Sequence, residues 1–194
     1  MLINNKSVLN MNLKERATKM AVLAQTSNQN LNFKVIDIVL MRLYATKKSI
    51  FSYTKSEIYF ALSALDKLGI AHLSSRIFST LYGGERQRAL ITRAICQNVQ
   101  LLVLDEPLNH LDIFYQLEIM KLVKSFGLTV VCVLHDFIIN LKLCDKLVIM
   151  KEGSVYATGH TKDLINSSIL KDVFKYRCNY NFSKKYLWYF ILII

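Results

Sequence analysis

Leu101-Leu102-Val103-Leu104 has no polar member and ends in Asp105-Glu106-Pro107. A strand with one wet face alternates apolar and polar residues, whereas a continuous apolar run marks a strand covered on both faces of a parallel sheet. Thr129-Val130-Val131-Cys132-Val133-Leu134 repeats the pattern. Between the two, Leu117, Ile119, Met120, Leu122 and Val123 predict a crossover helix over 113–126. The chain is therefore predicted to be α/β. Asp105 and Glu106 fall at the C-terminal end of a buried strand, where open α/β sheets place their ligands. One carboxylate there suits a Mg²⁺ ion and the other a general base.

Upstream, Leu81-Tyr82-Gly83-Gly84-Glu85-Arg86-Gln87-Arg88 places a Gly-Gly turn at the start of a helical pattern. The unpaired N–H groups of such a helix start can receive an anion. Ala89, Leu90 and Ala94 predict the inward face of a helix over 85–97, with Arg86, Arg88 and Arg93 outward. Thr54 and Glu57 form a capping-box pair, and Ile58, Ala61, Leu62, Leu65 and Leu68 recur at helical spacing before a stop at Gly69. Met20 to Ala24 reads as a short strand followed by Gln25 and a polar loop. Lys146–Met150 and Ser154–Ala157 flank a Lys-Glu-Gly turn, the pattern of a hairpin.

A net charge of +11 raises the question of an anionic partner. The Lys and Arg residues are scattered rather than gathered in one tract, so no nucleic acid is expected and a basic surface on a membrane-associated protein is the better reading. Cys96, Cys132, Cys144 and Cys178 show no C-x-x-C spacing, which points to buried thiols rather than a metal or disulfide framework. The apolar run over 187–194 is shorter than the ~20 residues a spanning helix needs. It reads as an aggregation-prone window.

With the acid pair, the Gly-Gly helix start, Val133-Leu134-His135-Asp136 and Asn109-His110-Leu111-Asp112 in this order, the chain resembles the ATP-binding subunits of ABC transporters. Asn109 to Ile113 with Gln116, and Cys144-Asp145-Lys146-Leu147-Val148, look like the iron–siderophore, haem and cobalamin importers in particular. The resemblance implies a P-loop NTPase-like, mostly parallel sheet with a helical subdomain over about 28–80, within a partial ATPase domain over 1–174 and a divergent tail over 175–194. It implies ATP and Mg²⁺ as cofactors, with Asp105 and Gln25 toward the metal. Glu106 becomes the general base and His135 the switch histidine beside it. Tyr82, Gly83, Gly84 and Glu85 become the signature that meets nucleotide held by a second subunit, Gln25 the glutamine of the Q-loop, and Asp112 a residue reaching across the dimer. Partners would be a second ATPase subunit and transmembrane permease subunits, at the cytoplasmic face of the cell membrane. The family has serine where this chain has Tyr82, so a bulky phenol replaces a small hydroxyl.

No G-x-x-x-x-G-K-[ST] occurs in the 194 residues, and none of the six glycines precedes a lysine. Residues 2–8 resemble the strand–turn region that follows the phosphate loop, so the resemblance implies a chain beginning after that loop. The phosphate-loop strand belongs beside the strand ending at His135, and its loss is expected to leave two buried strand edges unpaired. A truncated or frameshifted gene product fits these features. Two readings stand at this point: an ATP-hydrolysing importer subunit, and a non-catalytic or decayed fragment that contacts a partner.

Overall fold

The computed structural model describes residues 2–24, 31–45, 52–108, 111–134, 144–151, 153–165 and 188–193. It forms two compact units, Met1–Asp112 and Ile113–Ile194.

The first unit opens with a hairpin, β1 (Leu2–Ile3) and β2 (Lys6–Ser7). Asn4 and Asn5 hold its turn at φ 49° and 62°. Two consecutive positive φ values match the right-handed twist of the flanking strands, and asparagine tolerates them better than most residues. Helix α1 (Leu13–Lys19) is capped by Asn12, whose Oδ1 accepts from Glu15 N at 2.8 Å. It passes directly into β3 (Met20–Leu23).

β3 pairs in parallel with β4 (Leu101–Asp105), Met20 opposite Leu101 and Leu23 opposite Leu104. Leu102 and Leu104 are fully buried, as the apolar run predicts, and Ala21 and Leu23 are nearly so. Val22 is 50% exposed, so one face of β3 stays open at this residue.

Helices α2 (Val35–Leu40), α3 (Lys55–Lys67) and α4 (Gly83–Cys96) pack together. The predicted capping box is present: Thr54 Oγ1 accepts from Glu57 N at 3.2 Å, and Glu57 Oε2 accepts from Thr54 N at 2.7 Å. Gly69 at φ 68° ends α3, letting Ile70 N reach Leu65 O at 2.9 Å. The apolar face of α3 is narrower than its spacing suggests. Ala61 and Leu65 are buried, but Ile58 and Leu62 are exposed.

The three arginines of α4 do not point freely outward. Arg86 donates to the carbonyls of Leu81 and Ser79 at 2.8 Å each, and Arg88 to that of Leu68 at 3.3 Å. Arg93 is half-buried, and the loss of water lowers its guanidinium pKa. Helical periodicity shows where a stem starts but not where a long flexible side chain ends, and loop carbonyls beside α4 draw Arg86 and Arg88 in. At the far end of α4, Gln97 Nε2 donates to Ala17 O at 2.6 Å, tying the helix to the segment before β3.

The second unit contains α5 (Ile113–Ser125), β5 (Thr129–Leu134), β6 (Lys146–Lys151), β7 (Ser154–His160), α6 (Thr161–Ile165) and β8 (Trp188–Ile193). β6 and β7 form the predicted hairpin, with Gly153 at φ 78° and a register shift between Ile149 and Met150. β8 lies between β5 and β6, antiparallel to both, with Leu192 opposite Cys132 on one side and Leu147 on the other. The expectation of two unpaired edges is corrected by this strand, which supplies the missing backbone partners.

Cys96, Cys132 and Cys144 are buried thiols outside any disulfide, as expected, whereas Cys178 lies outside the described residues. Burial pushes the Cys96 thiol up to about 11 and that of Cys144 to about 12.

The burial contrast between β3 and β4 gives a direct test. Leu104→Ala should lower unfolding free energy by about 2–5 kcal/mol, whereas Val22→Ala should change it by about 0.5 kcal/mol. Urea melts that show equal losses would contradict the assigned burial.

Candidate functional site

The end of β4 makes a short, constrained turn. Asp105 and Glu106 are half-buried, while Pro107 and Leu108 are buried. Glu106 sits at φ 49°, the left-handed region that a residue with a Cβ enters only at an energetic penalty. Such conformations persist where surrounding structure imposes them, often at functional positions.

One of those impositions is visible. Gln87 of α4 donates through Nε2 to the carbonyl of Pro107 at 2.7 Å, so a side chain from the Gly-Gly helix grips the residue after the acid pair. A neutral amide between Arg86 and Arg88 gives no such warning in sequence, because hydrogen-bond partners in a fold are not encoded by local spacing. Gln87 is the site-associated residue that sequence reading missed.

The start of α4 is also defined. Tyr82 is its N-cap residue in extended backbone geometry, and its own N–H donates to Glu85 Oε2 at 2.9 Å. Tyr82 is 79% exposed. A serine or threonine at this place commonly accepts from the amides one turn on. Tyrosine carries its oxygen further out, at the end of a rigid ring. The Glu85 carboxylate is engaged in holding the helix start, which leaves its backbone N–H as its means of meeting an anion.

These observations bring Tyr82, Gly83, Gly84 and Glu85 into one unit with Asp105 and Glu106, linked by Gln87. Asp112 is exposed at the end of the same unit. Gln25 and His135 lie outside the described residues, as does His110. Among the described residues, no group of three or more His, Cys, Asp or Glu side chains could hold a metal by itself. Two adjacent carboxylates without a full protein cage suit Mg²⁺, which keeps waters and binds jointly with phosphate oxygens.

Residues 1–109 match the sequence profile of the ABC transporter family. The chain belongs to that family. The petrobactin import ATP-binding protein FpuD of Bacillus anthracis is 27% identical over 181 residues, covering 91% of this chain and 66% of the relative. The hemin import ATP-binding protein HmuV of Rhizobium meliloti is 33% identical over 183 residues, covering 89% of this chain and 68% of the relative. This ABC-family chain thus spans about two thirds of the length of these relatives. Among solved structures, CbiO1 of Clostridium perfringens, part of the ABC transporter complex CbiONQ, superposes with a TM-score of 0.69 at 26% identity, covering 91% of this chain and 72% of that one. An ATP-binding cassette of an ABC transporter in its ADP conformation, 21% identical, gives a TM-score of 0.71 over 88% of this chain and 74% of its own length, which supports the fold.

The strained turn yields a prediction that separates backbone from side chain. Glu106→Gly and Glu106→Ala both remove the carboxylate, but only glycine relieves the positive φ. The glycine variant should be more stable than the alanine variant by about 1 kcal/mol in urea melts. Equal stability would mean that residue 106 does not hold this conformation in solution.

Proposed function

We propose that this chain is the ATP-binding and ATP-hydrolysing part of an ABC importer for an iron–siderophore, haem or cobalamin-type metal chelate. The observation that carries the reading is the Gln87–Pro107 bond at 2.7 Å, which joins the Gly-Gly helix to the acid-pair turn. In a two-subunit arrangement the helix start faces nucleotide held by the partner subunit, while Asp105 and Glu106 face nucleotide held by their own. Gln87 then links the two sites through one contact. The names of the relatives support the transport class: petrobactin, hemin, iron(3+)-hydroxamate and ferric enterobactin.

In this reading Asp105 and Gln25 would hold Mg²⁺. The ion supplies charge neutralisation on the phosphate oxygens. Glu106 accepts the proton of the attacking water, and His135 orients the base and the terminal phosphate. The backbone N–H groups of Gly83, Gly84 and Glu85 receive the phosphate of the partner's nucleotide, helped by the positive end of the α4 dipole. Asp112 meets the partner subunit. The functional assembly is a pair of such subunits on a transmembrane permease, at the cytoplasmic face of the membrane; no helix among the described residues is long and apolar enough to cross one. No phosphate-loop motif occurs in these 194 residues, and this favours a second reading in which they bind a partner without turnover.

Nucleotide binding separates the readings. The 194 residues alone should bind Mg-ATP weakly; micromolar binding by calorimetry would reveal a substitute phosphate site. Joined to the phosphate-loop segment of an HmuV-type relative, the chain should hydrolyse ATP. In that fusion Glu106→Gln should retain ATP and lose turnover by about 10²–10⁴-fold. Turnover within a few-fold of the parent fusion would exclude Glu106 as the base, and an inactive parent fusion would support the non-catalytic reading.

Tyr82→Ser in the same fusion should raise ATP-dependent dimerisation and turnover together. One hydrogen bond to a charged phosphate is worth roughly 1.5–3 kcal/mol, so the gain should be on the order of tenfold to a hundredfold. Sedimentation of the Glu106→Gln form with and without the serine would measure it. Unchanged dimerisation and turnover would show that the phenol does not hinder closure.

A further inference from the structure

We propose that the space between β5 and β6 is a strand-binding site for an extended, uncharged apolar segment, occupied within the chain by its own residues Trp188–Ile193. The pairing is two-sided: Val131 to Leu134 of β5 face Ile193 to Phe190, and Lys146 to Lys151 of β6 face Ile193 to Trp188. Because β8 is antiparallel to both, β5 and β6 run parallel to each other with one strand's width between them. One wall of the site, β6, is held by a contact local in sequence. β6 and β7 close a hairpin over a tight turn, whereas β8 shares no tight turn with either neighbour. Twenty-two residues separate it from α6, by counting 166 to 187.

An empty site would expose two rows of backbone donors and acceptors beside fully buried Cys132, Leu147 and Ile149. A row of unpaired backbone groups recognises any extended segment by its main chain, while the apolar surroundings select against charge. Trp188-Tyr189-Phe190-Ile191-Leu192-Ile193 fits both demands: six residues without a charge, proline or glycine. The aggregation-prone window and the occupant of the site are thus the same segment. Insertion satisfies the very main-chain groups that would otherwise pair between molecules. The resemblance places the phosphate-loop strand beside this same edge of β5, so in the proposed ATPase that strand and residues 188–193 compete for it.

The 194-residue chain carrying Ile191→Pro tests the exchange, because proline removes a ladder donor and is excluded from central strands. The probe is a fluorescent peptide of residues 184–194, which keeps the native Lys184 and Lys185 for solubility. We expect the Ile191→Pro chain to bind it at least about tenfold more tightly than the parent chain, whose tethered strand competes at an effective concentration on the order of millimolar. Peptide binding should also restore slow amide exchange in β5 and β6. Equal affinity for both chains, or none for either, would overturn the proposal. A second variant keeps the test decisive if the proline chain fails to fold. In the 194-residue chain carrying Leu192→Cys, oxidation should join Cys132 to the new cysteine within one chain and abolish peptide binding. Absence of that disulfide, or undiminished peptide binding after it forms, would equally overturn the site.

Discussion

The parallel pairing of Met20–Leu23 with Leu101–Leu104 is the constraint on which the first unit rests. Leu102 and Leu104 are removed entirely from water, and each such side chain contributes about 1.5–3 kcal/mol relative to exposure. Burial fixes the direction and depth of β4, so the residues that follow must emerge at its C-terminal end. That is why two carboxylates end up side by side at a sheet end instead of dispersed over a helix surface. α4 then reaches the same place from another direction: Gln97 secures one end against the segment before β3, and Gln87 holds Pro107. The site is a consequence of where a greasy strand can stop.

Much of this was readable from residue order. A four-residue apolar run with no alternation announced β4, and the Thr54–Glu57 pair announced the start of α3. Gly153 marked the turn of the β6–β7 hairpin through the backbone conformation glycine tolerates. The reading failed where side chains are long. Periodicity put Arg86 and Arg88 on an outer face, yet their guanidinium groups fold back onto the carbonyls of residues 79, 81 and 68. It failed also at Gln87, since a contact between residues twenty positions apart leaves no local trace. The positive φ at Glu106 was equally invisible, because glutamate has no preference for that region and only the surrounding turn selects it.

The tail teaches a different lesson. The apolar run over 187–194 reads as an aggregation-prone window, and the same property serves either self-association or insertion. Which of the two occurs depends on whether an acceptor of matching length exists within the fold. Here β6 offers six paired positions and β5 four. A strand with no hairpin connection to its neighbours is found only by considering what the sheet lacks, since nothing in the segment itself names its partner.

The central claim is that the acid-bearing strand and the Gly-Gly helix form one cooperative structure. Native-state amide hydrogen exchange under increasing denaturant measures this directly. The amides of Leu102 and Leu104 in β4 and of Ile91 and Ile95 in α4 should exchange through a single opening, with the same free energy and the same denaturant dependence. If the β4 amides open at a distinctly lower free energy while α4 stays protected, the two elements are independent and the account of the site fails.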